Sequence, residues 1–332
     1  MATTTEDLDE SDGGPLQRWT KGAIQNPEKV YRALFYAAMV FFLVTTLFPF
    51  YWLTVLAVTP SGQLLSGSFL PEFDIFGVSG TFPLPVPKGF NPEAFVSVFS
   101  EVPFHLFMLN SFALAITTTV IVLFVASLAG YVFGRLRFRG RAVLMLGILA
   151  VSYFPPAAFV IPLFQAFAGN VVNIPFTEIP LFKPPRLLNS PGSMVLPFSA
   201  LFMPLSIFIL TTFYGQIPDG LEDAARVEGT TRLGALFRVI MPLSAPGVAT
   251  AAVLTFIAVY NEYFFSSIMA TSTEATRWSP IVGGILSYQT QYTTQYNLMA
   301  AASVIGVLPV VVLVIVAQER IVSGLTSGAL KE

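Results

Sequence analysis

Long apolar runs alternate with short polar breaks along this chain. Six of the runs come near the about 20 residues a helix needs to cross about 30 Å of hydrocarbon. They fall at roughly 33-58, 107-133, 142-166, 193-214, 247-269 and 296-317. The pattern predicts an all-α membrane protein with six transmembrane helices. One charged island interrupts it, Asp219 to Pro246, with the sequence DGLEDAARVEGTTRLGALFRVIMPLSAP, which reads as two short helices around a glycine hinge.

The island's local chemistry sets out a series of expectations. Asp219 and Glu222 have the spacing of a reciprocal capping box. Glu222 and Arg226 lie one helical turn apart and can pair on an exposed face, while Ala224 and Ala225 leave the backbone approachable. Gly229 offers a left-handed helix end, and Thr230 or Thr231 can cap the second helix. Leu233, Leu236, Phe237 and Ile240 then form one apolar stripe, with Pro242 ending the helix and Ser244 to Pro246 opening the next. These features fit an ordinary loop with two surface helices as well as they fit a docking element.

Composition narrows the class. Of 332 residues, 54% are hydrophobic and 11% charged, far from the about 25% charge of soluble domains. Mean hydropathy is +0.71. With no cysteine and a single histidine, His105, disulfides, thiol nucleophiles and a histidine metal cluster within the chain are excluded. A net charge of -2 gives no reason to expect nucleic acid as a partner. No GxxxxGK[ST] phosphate loop and no Gly-x-Ser-x-Gly elbow occur, so the chain is expected to be no enzyme, without an ATPase site of its own.

Basic residues set the expected orientation. Arg18, Lys21, Lys29, Arg32, Arg135, Arg137, Arg139, Arg141, Arg226, Arg232, Arg238, Arg320 and Lys331 fall on one side of the six spans, against Lys88, Lys183, Arg186 and Arg277 on the other. The positive-inside rule then puts both termini and the island in the cytoplasm of a multi-pass protein of the cell membrane, in contact with membrane lipid. The arginines after the second span are sufficiently explained as topology anchors. Residues 1-30 are expected to be an acidic, disordered cytoplasmic N-terminus, retained because it lacks the features of a secretory signal peptide. Residues 31-318 form the transmembrane domain, and 319-332 a cytoplasmic tail.

The outward segments Thr59 to Pro103 and Asn170 to Ser193 are rich in proline and expected to be irregular, the first with a short helix after Asn91. Thr271 to Asn297 contains SYQTQYTTQYN, which suits either a wet contact surface or a plain exposed loop. Asn261 and Glu262 are the notable polar pair of the fifth span. They can line a translocation path or a helix interface.

The island resembles the cytoplasmic coupling-helix ("EAA") loop of membrane subunits of ATP-binding-cassette (ABC) importers. Asp223-Ala224-Ala225, Glu228-Gly229 and Met241-Pro242 fill the places of that pattern, with Asp for the first Glu, Val239 for the usual Ile and Met241 for the usual Leu. Tyr260-Asn261-Glu262-Tyr263, the run AGYVFGRLRFRGR, Phe154-Pro155-Pro156, Met203-Pro204 and the tail QERIVSGLTSGALK are similar to the maltose-type carbohydrate branch.

The resemblance implies a type I ABC importer permease fold. It also implies a complex with a second related permease subunit, two cytoplasmic ABC ATPase subunits that bind ATP and Mg, and an extracytoplasmic solute-binding protein that delivers a sugar substrate. Glu222, Asp223, Ala224, Ala225, Glu228, Gly229 and Pro242 would then couple the ATPase to the spans. No cofactor is expected in this chain. The alternatives are an importer permease for another solute, such as glycerol phosphate or a peptide, and a membrane receptor or scaffold that does not transport.

Overall fold

The computed structural model describes residues 27–75, 78–82, 84–174, 176–272, 274–290 and 293–327. The chain divides into two compact units, Met1–Val55 and Leu56–Glu332. The described part of the first is one helix, α1 (Pro27–Val58), which runs on into the second. The rest of the acidic N-terminal segment lies outside the described residues.

The second unit is mostly helical. A hairpin, β1 (Glu72–Ile75) and β2 (Val78–Thr81), and a short helix, α2 (Ala94–Glu101), precede α3 (Phe104–Arg135). Next come α4 (Arg141–Ser152), α5 (Ala157–Phe167), a second hairpin, β3 (Val172–Asn173) and β4 (Pro180–Phe182), and α6 (Gly192–Gln216). The island forms α7 (Asp219–Val227) and α8 (Arg232–Leu243). Then follow α9 (Ala245–Tyr260), α10 (Phe264–Met269), α11 (Ile281–Leu286) and α12 (Tyr296–Ser327). The two hairpins correct the all-α expectation within the outward segments.

Among the described residues, α1, α3, α6 and α12 are each long and apolar enough to cross a membrane. Two bent pairs, α4 with α5 (82°) and α8 with α9 (84°), raise the count to six if each pair is one span. Both bends have local causes. Pro155 and Pro156 bring no backbone N–H to the α4–α5 junction and force the preceding residue out of helical geometry. Ser244 separates α8 from α9, and Pro246 in the first turn of α9 brings no N–H to continue the helix across the junction.

The expected span 247-269 ends early. Asn261 turns its Nδ2 back to the Ile257 carbonyl at 3.0 Å, and residues 264–269 form the separate helix α10. Helix α12 continues to Ser327, and residues 328–332 lie outside the described residues.

The core is built on close approach of α3 and α6. Gly130 and Gly134, a small-xxx-small pair, face Leu210, Thr211 and Tyr214. A Cβ on Gly130 would sit 2.9 Å from the Leu210 Cβ, and one on Gly134 would sit 3.0 Å from the Thr211 carbonyl oxygen. In lipid such contact replaces the hydrophobic drive that water would supply. Polar bonds between helices add to it: Tyr214 Oη donates to Ser127 Oγ (3.1 Å), Ser206 and Thr255 pair their hydroxyls (3.0 Å), and Tyr260 Oη donates to the Gly306 carbonyl (3.0 Å).

The third outward segment is in part the exposed surface expected, with Gln289, Thr290, Thr293 and Tyr296 exposed, and in part tied into the fold. Asn110 Nδ2 donates to the carbonyls of Ala275 (2.7 Å) and Ser279 (2.9 Å), and Ser111 Oγ accepts from the Ile281 N–H (2.8 Å). These bonds fold α11 back onto α3. Tyr288 is buried, with its hydroxyl on the Val98 carbonyl. Polar side chains of the SYQTQYTTQYN run therefore work partly inside the fold, and residues 291 and 292 lie outside the described residues.

Candidate functional site

The island's first helix is held to the bundle by one buried guanidinium. Arg135, the last residue of α3, has a side chain only 4% exposed and binds Glu222 Oε2 through Nε at 2.9 Å. Its Nη1 reaches Asp219 Oδ1 at 3.0 Å and donates to the Ile217 carbonyl at 2.5 Å. Tyr131, one turn earlier on α3, donates its hydroxyl to the other Glu222 oxygen at 2.5 Å. One carboxylate thus takes two charge-assisted or short bonds from one helix end, the strong kind of polar contact.

Burial pushes the Glu222 carboxyl up, but the Tyr131 and Arg135 hydrogen bonds and the charges of Arg135 and Arg226 outweigh it, holding the group below the usual glutamate range. A lowered carboxylate value stabilises the folded state above the unfolded group's range, and that contribution is lost as pH falls through the lower folded value. Thermal stability measured down through that window should therefore fall more steeply for the wild type than for Glu222→Gln, which has no proton to take up.

This arrangement corrects two expectations. Glu222 does not close a capping box, because α7 starts after Pro218 with no side-chain cap. It does not pair with Arg226 either. Arg226 meets Asp223 at 3.7 Å on the surface, while Glu222 is buried against α3. A guanidinium already held at the end of α3 competes better than an exposed one a turn away, since the buried pair is less screened. Arg135 is therefore a structural clamp as well as a basic residue at a span end.

Beyond the clamp, the hinge takes the expected form. Gly229 has φ +88°, its N–H bonds the Arg226 carbonyl (3.0 Å), and the Thr230 N–H bonds the Ala225 carbonyl (3.0 Å). These are the two bonds of a Schellman end. Thr231, not Thr230, caps α8 by accepting from the Gly234 N–H at 3.1 Å.

The stripe on α8 divides. Leu236 and Ile240 are fully buried against Ala126, Tyr131, Ile207, Leu210 and Tyr214, whereas Leu233 and Phe237 stay exposed, the Phe237 ring stacking at 6.4 Å on Phe124. A π-helical turn over Leu236–Ile240 rotates the register within the stripe. Pro242 does not end the helix, which runs through it to Leu243.

Turned away from the clamp, α7 shows a mixed face. Asp223, Ala224 and Glu228 are exposed, Ala225 is half-buried, and Leu221 and Val227 are apolar and 45% and 88% exposed. Ala224 stands two residues from Glu222, which at about 100° per residue places it nearly across the helix. Clamp and free face thus sit on opposite sides of one short rod.

Asn261 and Glu262 lie apart from this site, at the α9–α10 break. Glu262 accepts from the N–H groups of Phe265 (2.8 Å) and Ser266 (3.0 Å) and from Ser266 Oγ (2.9 Å), so it caps α10. Glu262→Ala should cost about 1 kcal/mol, as lost caps do, and Asn261→Ala less. Thermal stability and transport of both variants check this, and unchanged values for Glu262→Ala would remove the capping role.

Arg135 and Tyr131 were not among the site residues expected from sequence. The only pointer was AGYVFGRLRFRGR as a block, because the partners lie 87 and 91 positions apart. Among the described residues no group of three or more His, Asp or Glu could hold a metal ion.

A bundle of membrane-length helices with a charged helical arm clamped to the end of one of them defines a multi-pass membrane protein. Residues 126–326 match the family described as binding-protein-dependent transport system inner membrane component, and the chain belongs to that family. It is 38% identical over 237 residues to the sulfoquinovosyl glycerol transport system permease protein of Agrobacterium fabrum, covering 71% of this chain and 77% of that one. To the trehalose transport system permease protein of Mycobacterium tuberculosis it is 31% identical, over 86% and 92% of the two chains. The trehalose/maltose transport system permease protein of Thermococcus litoralis is also 31% identical, over 92% and 98%. A chain of a bacterial ABC transporter involved in the import of the acidic polysaccharide alginate shares the fold, with a TM-score of 0.63 at 19% identity over 88% of this chain and 97% of that one.

Proposed function

We propose that this chain is the permease subunit of an ABC importer for carbohydrate, with α7 and α8 as the element that couples an ATPase to the spans. The family and the sugar-transport relatives support the transport reading. The observation that carries the coupling role is the two-sided build of α7: one side fixed to α3 through Arg135 and Glu222, the other offering Leu221, Ala224 and Val227 to solvent. Apolar side chains gathered on one exposed helix face support a docking surface.

In this reading six spans form the domain, both termini and α7 are cytoplasmic, and Asp223, Ala224, Ala225, Glu228, Gly229 and Pro242 belong to the coupling loop. Two ATPase subunits that carry ATP and Mg, a second related permease and an extracytoplasmic solute-binding protein complete the complex. ATP binding closes the ATPase pair, and the clamp passes that movement to α3 as a shift between inward-open and outward-open states. A shift of this kind requires the arm to bind its partner more tightly in one state than in the other.

The reading is tested at the free face. Ala224→Phe should abolish co-purification of the ATPase subunits, because a ring has no room where an alanine seats. An undiminished complex would remove α7 from the interface. For the substrate, sugars should bind a solute-binding protein encoded beside this chain. Binding of glycerol phosphate or of peptides alone would move the assignment to those solutes.

A further inference from the structure

We propose that the outward hairpin between α5 and α6 is a lipid contact, its apolar strands and tip lying in the interfacial layer of the outer leaflet. The inference rests on α5 and α6 belonging to membrane spans, as in the six-span reading. The hairpin is antiparallel, pairing Val172 with Phe182 and Asn173 with Pro180.

Its apolar residues do not form one face. Side chains of consecutive strand residues point to opposite sides, yet Leu181 and Phe182 are 60% and 54% exposed. Ile179 is exposed as well, and the Phe176 ring at the tip is fully exposed on a backbone with φ +64°. A bulky residue in that left-handed region is uncommon, and here it projects the ring away from the strands. Exposed Asn173, Thr177 and Glu178 are interleaved with these large apolar side chains, a mixture that fits the half-polar level of the headgroups and upper acyl chains.

The chain also fixes where that surrounding is. The hairpin is tethered between Phe167, the end of α5, and Gly192, the start of α6, so it cannot leave the membrane surface by more than its own length. Exposed Lys183 and Arg186 follow the second strand. Cations there can reach lipid phosphates while the apolar residues stay below them.

Depth follows from the backbone. A two-stranded ribbon has open edges, and unpaired N–H groups are costly in hydrocarbon. Pro180, Pro184 and Pro185 have no N–H to leave unpaired, which eases contact with lipid but does not remove the cost. The ribbon therefore belongs at the level of the headgroups and upper acyl chains, short of the bilayer centre.

The cysteine-free sequence allows a direct test. A nitroxide on Phe176→Cys, in this chain alone within the complete reconstituted transporter, is compared with one on Leu205→Cys in the middle of α6. Leu205 is 52% exposed in the isolated chain. Relaxation by oxygen, which concentrates in lipid, should exceed relaxation by a water-soluble nickel complex at residue 176, at a shallower depth than any lipid-facing signal from residue 205.

Dominant nickel relaxation at 176, with none at 205, would place the hairpin in water and overturn the proposal while leaving the spans intact. Shielding of 176 from both reagents would overturn it in favour of a protein partner. Nickel relaxation at 205 would overturn the span reading and the proposal with it.

Discussion

Arg135→Met is expected to abolish ATP-driven uptake while leaving the chain inserted in the membrane. The substitution keeps apolar volume at the end of α3 but leaves the Glu222 carboxylate buried without its guanidinium partner. Breaking one side of a buried pair costs about 3–5 kcal/mol. That is a large part of the stability of a typical domain, but the damage is local. Helix α7 loses its bonds to Nε and Nη1 of Arg135, so an attached ATPase moves a loose arm. ATP hydrolysis continues and accumulation of solute stops.

The double variant Arg135→Met/Glu222→Met removes the orphaned charge and should recover thermal stability, as apolar replacements of buried pairs do. It should not recover uptake, because the fixed geometry is gone. Wild-type uptake by Arg135→Met would show that the clamp carries no force.

Gly229→Val is the second large effect. At φ +88° a branched side chain is strained whatever the room around it, and a Cβ at this position would meet nothing within 4 Å. The cost of about 1–2 kcal/mol is thus conformational. The chain can relieve it by giving up the Schellman end, which frees the angle between α7 and α8. Uptake should fall strongly, with membrane insertion intact. Gly229→Asn should retain much of it, since asparagine tolerates the left-handed region better. Transport at the wild-type rate in Gly229→Val would contradict the hinge.

What sequence made legible divides along physical lines. Long apolar helices were legible as runs, because length and hydropathy are local quantities, but their ends were not: α9 stops at Tyr260 and α12 runs on to Ser327. The left-handed end at Gly229 was legible as well, because residue type dictates backbone geometry there. Spacing failed where a distant group competed. Glu222 and Arg226 have the separation of a helix pair, yet the carboxylate turns inward to Arg135, 87 positions away.

The stripe from Leu233 to Ile240 assumed an ideal α-helical period, and the π-turn altered it. Glu262 stood out as half of a polar pair in an apolar run, but its use as a cap depended on a helix break that the run concealed. The role of Gly130 and Gly134 came into view only with the helix they face.

The central claim is that this chain converts ATP hydrolysis by attached subunits into directional movement of a carbohydrate. It is tested most directly by measuring ATP consumed and sugar accumulated in the same sealed vesicles, with the complete complex and its solute-binding protein. Accumulation against a gradient that requires both ATP and the binding protein is the predicted result. ATP hydrolysis with no directional accumulation of any sugar that the binding protein holds would contradict the account and leave α7 as the docking site of a receptor or scaffold.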